Sequence, residues 1–247
     1  MCTAGAQQAA VSEDGLEYIF SGLPIAFFNV VVLTGRELTA GDVASRGTAA
    51  RAWAADKNVP WLFMVTHETL APGTDAAAAL DACELGPMMP LTGMLATQLT
   101  PAARVPEALS LAVPHDDAAC CALVDVNGLA YGMDLEAGKP RLGSHAFWKN
   151  QFPVLGVAGG KPVYSAAVMM LDGHRYVALV ATDPAQQRRG YAEAAMRYAL
   201  DVAAQAHGEC PTVLHATEAG RPVYERMGYQ PISTHTIFME KQLLHGA

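Results

Sequence analysis

Tyr176–Leu200 reads YVALVATDPAQQRRGYAEAAMRYAL, and the order of its residue types dictates three consecutive elements. Tyr176 to Thr182 is an apolar, β-favouring run and predicts a strand. A turn containing Pro184, Gly190 and two adjacent arginines follows. After Gly190, residues Ala195, Tyr198, Ala199 and Val202 recur at helical spacing, with Glu193, Arg197 and Asp201 between them. This pattern predicts a helix ending near His207-Gly208. Gly190 removes a side chain where the main chain must come close to a ligand. The amides from about Arg188 to Ala192 then present free N–H groups at a helix N-terminus, a geometry that binds phosphate oxygens with the help of the helix dipole. Arg188 and Arg189 add charge-assisted donors, and Ala192 is small enough to leave the approach open. The turn lacks the Gly-Lys-Ser/Thr of a P-loop and the G-x-G-x-x-G of a dinucleotide fold. Alone it predicts an anion site and nothing more specific.

Working outward, Thr212 to Thr217 predicts a strand, Arg221 to Met227 a short helix ended by Gly228, and Thr234 to Glu240 a last strand. Upstream, strands at Val154–Ala158 and Val163–Leu171 flank the turn Gly159-Gly160-Lys161-Pro162, and Asp172-Gly173 turns the chain into Tyr176–Thr182. The last two strands are almost wholly apolar, which predicts a sheet centre covered on both faces. Asp116 to Tyr131 predicts a helix with acidic residues at its start and Gly132 at its end, and Thr92 to Leu99 a strand. Residues 68–90 concentrate Gly, Pro and polar residues and predict a boundary. Before it, the strand Ala26–Thr34, the helix Thr39–Lys57 with Thr39 or Asp42 as cap, and the strand Trp61–Thr66 form a small α/β unit without a nucleotide loop. The first fifteen residues lack the basic start and apolar stretch of a signal peptide and predict a frayed tail.

The strand, turn and helix, followed by a strand and then GRPVYERMGY, resemble the GCN5-related N-acetyltransferase (GNAT) superfamily. The Gln/Arg-x-x-Gly-x-Gly/Ala loop of that family is matched by Gln187, Gly190 and Ala192, and its Tyr followed by a Gly-aromatic pair by Tyr224, Gly228 and Tyr229. The resemblance covers about residues 90–242. It implies an α/β fold with a mixed, mostly antiparallel central sheet, splayed into a V and flanked by helices, over residues 86–247. Residues 1–85 are then an N-terminal extension or a degenerate α/β segment. It further implies acetyl-coenzyme A (acetyl-CoA) as cofactor. Val180, Ala181 and Thr182 would run beside the pantetheine arm, while Gln187, Arg188, Arg189, Gly190, Tyr191 and Ala192 would cradle the pyrophosphate. Tyr224 would donate a proton to the departing thiolate; an ordinary phenol, with a pKa near ~10, is protonated at neutral pH. Many members carry an Asn seven residues before that Tyr, touching the cofactor; the resemblance puts Thr217 at that cofactor-binding position, its hydroxyl partly substituting for the amide.

Direct transfer to an amine needs a group that removes a proton. The strand Tyr176–Thr182 contains no Asp or Glu. Asp172, His174, Asp183 and His215 are nearby in sequence, and Glu218, just past the next strand, is the chosen base. Trp148, Asn150 and Asn29 are lesser acceptor-side possibilities, read first as packing or loop residues.

Composition bounds the alternatives. Sixteen basic against twenty-four acidic residues, a net charge of −8, argue against nucleic acid. No apolar run reaches the ~20 residues of a membrane span. Five cysteines at irregular spacing suit neither a disulfide framework nor zinc, which points to a reducing cytoplasm and no metal. The function expected is therefore acetyl transfer to a small-molecule or peptide amine; the base rate for symmetric oligomers makes a homodimer the first oligomer to test. The competing reading is a non-catalytic coenzyme A-binding sensor or assembly module.

Overall fold

A computed structural model describes residues 9–102, 106 and 109–244; Cys2 and the first eight residues of the expected tail lie outside it. In chain order the elements are β1 (Ala9–Glu13), β2 (Leu16–Phe20), β3 (Asn29–Leu33), α1 (Ala40–Ala54), β4 (Leu62–Thr66), α2 (Ala76–Asp81), β5 (Leu85–Ala96), β6 (Ser110–Ala112), α3 (Asp117–Tyr131), α4 (Lys139–Leu142), β7 (Phe152–Ala158), β8 (Lys161–Leu171), β9 (His174–Thr182), α5 (Tyr191–His207), β10 (Thr212–Ala216), α6 (Arg221–Arg226), β11 (Gln230–Glu240) and α7 (Lys241–Leu244). The pairings are mostly antiparallel; β3 with β4 and β9 with β10 are parallel. Two compact units result: Met1–Thr92 with Ser233–Ala247, and Gly93–Ile232.

In the first unit the strands follow the order β1-β2-β3-β4-β11. The frayed tail is corrected from residue 9 onward. Asp14 and Gly15 both take positive φ (48° and 79°) and close a hairpin that pairs β1 with β2. That backbone twist is the one two-residue hairpins favour. The boundary expected over residues 68–90 also contains regular structure. Asp75 accepts hydrogen bonds from the amides of Ala77 and Ala78 and starts α2, and β5 begins at Leu85 despite Pro87 and Pro90. α1 starts at Thr39 with a capping box: the Asp42 amide donates to the Thr39 hydroxyl, and the Thr39 amide donates to the Asp42 carboxylate. Asn29 is wholly buried; its amide donates to the Leu23, Ile25 and Pro60 carbonyls, which makes it a structural clasp rather than an acceptor-side group.

In the second unit, which takes up β5 from Gly93, the order is β5-β10-β9-β8-β7-β6. β8 is buried along most of its length and carries helices on both faces. Adjacent strand residues point to opposite sides. Ser165 meets Asn127 of α3, whereas Tyr164 joins the core that α5 closes with Ala195, Met196, Ala199, Leu200 and Ala203. The alanines let α5 lie close to the strands, and each Met or Leu buried there contributes roughly 1.5–3 kcal/mol.

Both units repeat one connection: a hairpin, a helical crossover to a parallel strand, then a short helix. In the first this is β2-β3-α1-β4-α2, in the second β8-β9-α5-β10-α6. The start of the second crossover is held firmly. Arg175 is 6% exposed; its guanidinium donates to the Cys210 carbonyl at 2.6 Å and the Leu200 carbonyl at 3.3 Å, and pairs with Glu209 at 2.7 Å. Arg175→Met strands those carbonyls, and urea denaturation is expected to register a loss of roughly 2–4 kcal/mol.

Candidate active site

β9 and β10 run side by side only at their beginnings. Their ladder pairs Arg175 with Thr212, Tyr176 with Val213 and Val177 with Leu214, and stops there, although β9 continues to Thr182 and β10 to Ala216. The closed end of this fork is stapled: the Arg175 amide donates to the Pro211 carbonyl, and the Thr212 hydroxyl donates to the Arg175 carbonyl.

The fork opens at a bulge. Against β8, Ser165 faces Ala181 while Ala167 faces Ala178, so β9 has one residue too many, and Leu179 takes φ 54°. A left-handed conformation costs a Leu about 1–2 kcal/mol and has to be held by its surroundings. The Ser165 hydroxyl donates to the Leu179 carbonyl, and the Asn127 amide donates to Ser165 at 2.6 Å. Beyond the bulge the Asp183 amide donates to the Val163 carbonyl of β8. Main-chain groups alternate sides along a strand, so those of Val180 and Thr182 face away from β8, into the fork. Ala181, between them, is 3% exposed.

The turn after β9 follows at once. Arg188 has φ 62° and Gly190 φ 80°, and α5 starts at Gly190 without a side-chain cap. The first intrahelical bond there is from the Ala194 amide to the Gly190 carbonyl, so the amides of Tyr191, Ala192 and Glu193 precede the ladder. Gln187, Arg188 and Arg189 are exposed around them, whereas the Tyr191 ring is buried, leaving its amide as the part offered to a ligand. The Glu193 carboxylate pairs with Arg197, one turn further on.

On the α5 face of the fork lies Tyr224, 8% exposed. Thr217 folds the entry to α6: its hydroxyl accepts from the Gly220 amide and its carbonyl from the Arg221 amide. A Cβ at Gly220 would lie 3.1 Å from the Tyr224 ring and 3.4 Å from both the Tyr224 and Thr217 hydroxyls, so the glycine admits the phenol. Gly228, at φ 101°, turns the chain so that the Tyr229 hydroxyl meets the Thr212 hydroxyl at 2.8 Å. α6 is thereby referenced to the closed end of the fork. Burial, and secondarily Tyr131, Tyr229 and Tyr176, hold the Tyr224 phenol well above its ordinary range, so it is protonated at every physiological pH.

The remaining sequence candidates separate. His174 lies at the start of β9, ~25 Å from its other end at 3.3 Å per residue; its ring nitrogen bonds the Asp172 carbonyl. Asp183 caps the turn by accepting from the Ala185 amide. Glu218 is exposed on the turn after β10, next to Thr217. His215 bonds the Tyr176 hydroxyl at 3.1 Å. Trp148 is core, its indole donating to the Leu142 carbonyl, and Asn150 is exposed. Burial pushes the Cys120 thiol up to about 11, away from nucleophilic use. Among the described residues no cluster of three His, Cys, Asp or Glu could hold a metal, and no helix is long and apolar enough to cross a membrane.

Tyr131 and Tyr164 were not singled out from the sequence. Tyr164 pairs with Thr182 at the open end of the fork; its buried hydroxyl has no hydrogen-bond partner among the described residues. Tyr131, the last residue of α3, donates its hydroxyl to the Val180 carbonyl at 2.6 Å. Asn127 in an apolar helix and Ser165 in an apolar strand were the available signals, because a buried polar group needs a purpose.

Residues 121–229, from α3 to Tyr229, match the model of the acetyltransferase (GNAT) family. Over this stretch the chain is similar to GNAT acetyltransferases. Among solved structures, a GCN5-related N-acetyltransferase from Kribbella flavida is 20% identical over 94% of this chain and 89% of its own, with a TM-score of 0.70. One from Sphaerobacter thermophilus is 16% identical over 91% of this chain and 76% of its own, TM-score 0.64. A tandem GNAT protein from the clavulanic acid biosynthesis pathway is 14% identical over 91% and 77%, TM-score 0.55. At these identities the likeness is one of fold. No curated protein matches the sequence.

A diphosphate ester fits the residues present. The uncapped amides and Arg188 and Arg189 suit its charge, and the fork beside Val180 and Thr182 suits an amide-bearing arm.

Proposed function

We propose that the GNAT domain uses acetyl-CoA to acetylate an amine of a small molecule or peptide by direct attack. The observation that carries this is the continuity of the fork with the uncapped turn: one strand, β9, leads from Val180 and Thr182 straight to the amides after Gly190. When bound, acetyl-CoA supplies an activated acyl carbonyl. Val180 and Thr182 orient its arm, and the Gln187–Ala192 turn, with Arg188 and Arg189, holds its diphosphate. Glu218 takes the proton from the amine nitrogen as the nitrogen–carbon bond forms. Tyr224 would hydrogen-bond the sulfur and would supply the proton that the departing thiolate needs.

The first unit we read as a degenerate copy of the same design that has lost the cofactor. Its crossover helix is already capped, with the Thr39 hydroxyl 2.6 Å from an Asp42 oxygen, which puts a carboxylate where a phosphate would have to approach. Hydrogen bonds from the Thr39 side chain and main chain hold that carboxyl below its usual range, so it stays charged. The chain should therefore bind about one CoA in calorimetry. At ~100 times the dissociation constant the ligand should stabilise the fold by ~2.7 kcal/mol, and an amine panel should release thiol from acetyl-CoA. A flat melting curve sinks the cofactor reading. Binding without thiol release for any amine favours the non-catalytic module. Two sites per chain contradict the degenerate first unit.

A further inference from the structure

A strand whose ladder has ended still carries N–H and C=O groups that need partners. Val180 and Thr182 are in that position on the fork side of β9. One of these groups is already taken: the Tyr131 hydroxyl, from α3, bonds the Val180 carbonyl at 2.6 Å. We propose that Tyr131 is a gate on this strand edge, holding the Val180 carbonyl until the amide-bearing arm of the cofactor displaces it. The proposal rests on the cofactor reading above and adds to it a residue that competes with the cofactor.

Three features suit Tyr131 to leave. The residue is 51% exposed, so swinging its side chain out forfeits little packing. It ends its helix, and the next residue, Gly132, takes φ 62°, so no further helical turn confines it. Desolvation around the phenol, whose hydroxyl bonds the Val180 carbonyl, raises it and keeps it protonated and able to donate. The carbonyl, in contrast, is fixed. Val180 follows the Leu179 bulge, and the Leu179 carbonyl is held by Ser165, itself held by Asn127. An incoming N–H donor must come to the carbonyl where it stands, and there it meets the phenol. A pantetheine arm carries amide N–H donors of this kind and can lie along a strand edge as an added strand does.

Calorimetric titration of CoA into the wild type and Tyr131→Phe tests this. The Phe variant keeps the ring and loses only the competing donor, so CoA should bind roughly 2- to 12-fold tighter. Pantetheine should gain by a similar factor, and adenosine 3′,5′-diphosphate, which lacks the arm, by none. Melting curves without ligand confirm that the variant is folded. Equal or weaker CoA binding by Phe overturns the gate, because the phenol then shares the carbonyl or only supports the strand. A gain seen equally with the diphosphate probe also overturns it. If the wild type itself binds no CoA, the cofactor reading falls first, and that result is read from the wild-type titration alone.

Discussion

Tyr224→Phe is expected to lower kcat by about 10²- to 10⁴-fold while CoA affinity changes by less than about threefold. The substitution removes one oxygen from a ring whose position is fixed by several contacts. α6 is entered through Thr217, the ring lies against Gly220, and Tyr229 ties the end of the helix to Thr212. The surfaces proposed to bind the diphosphate and the arm lie on other segments, so a loss confined to kcat is the signature of a group used at the reacting sulfur. Burial raises the phenol, and a raised acid is lost only at higher pH. The rate of the wild type should therefore show no alkaline fall from this residue up to about pH 10. A departing thiolate in the same enclosed space is raised by the same desolvation, so proton transfer between the two need not be steeply uphill. Stopped thiol-release assays with the acceptor that the wild type uses best will decide. A variant that keeps more than about half of kcat removes Tyr224 from the proton-donor role.

The sequence was most informative where a local rule sets local structure. Thr39, Asp116 and Gly132 stand at the helix ends expected of them, and the hairpin turns at Gly159-Gly160 and Asp172-Gly173 fall where glycine was needed. The turn before α5 was legible because Gly190, the arginines and the helical period all point the same way. What was illegible came from tertiary constraint. A Leu in the left-handed region has no sequence signature, yet Leu179 is where the fork opens; only Ser165 and Asn127, two polar residues in apolar surroundings, hinted at it. Tyr131 reads as the end of a helix, and nothing in its neighbours tells that its hydroxyl reaches a strand 49 residues away. The hairpin β1–β2 departs from the expected tail: Asp14-Gly15 is a strong turn signal, but the strand before it is short and follows a polar start. α2 was lost among breakers, although Asp75 followed by alanines is a good helix start. The return of Ser233–Ala247 to the first unit is a property of the folded chain that no local pattern encodes.

Gly190→Asp is expected to weaken CoA binding by on the order of 10²- to 10³-fold, and Gly190→Asn by about tenfold or less. The two variants share size and shape, and both residue types tolerate the φ of 80° found here better than other side chains do. Their difference is one negative charge, placed at the uncapped start of α5. A carboxylate there is attracted to the same amides as the diphosphate and repels the diphosphate itself. At ~4 Å and an effective dielectric constant near ~20, one such pair of charges is worth ~4 kcal/mol, before screening by salt reduces it. The first unit already contains the natural version of this change, since Asp42 and Thr39 occupy the start of α1. The Asp–Asn gap should shrink as ionic strength rises, and pantetheine, which lacks the diphosphate, should bind both variants alike. Wild-type affinity in Gly190→Asp would move the diphosphate away from this turn altogether. A loss of the same size in both variants would show that the turn works through its backbone shape alone. The expected ordering, with Asp far weaker than Asn and the gap closing in salt, is what an anion held by bare helix amides and two arginines must produce.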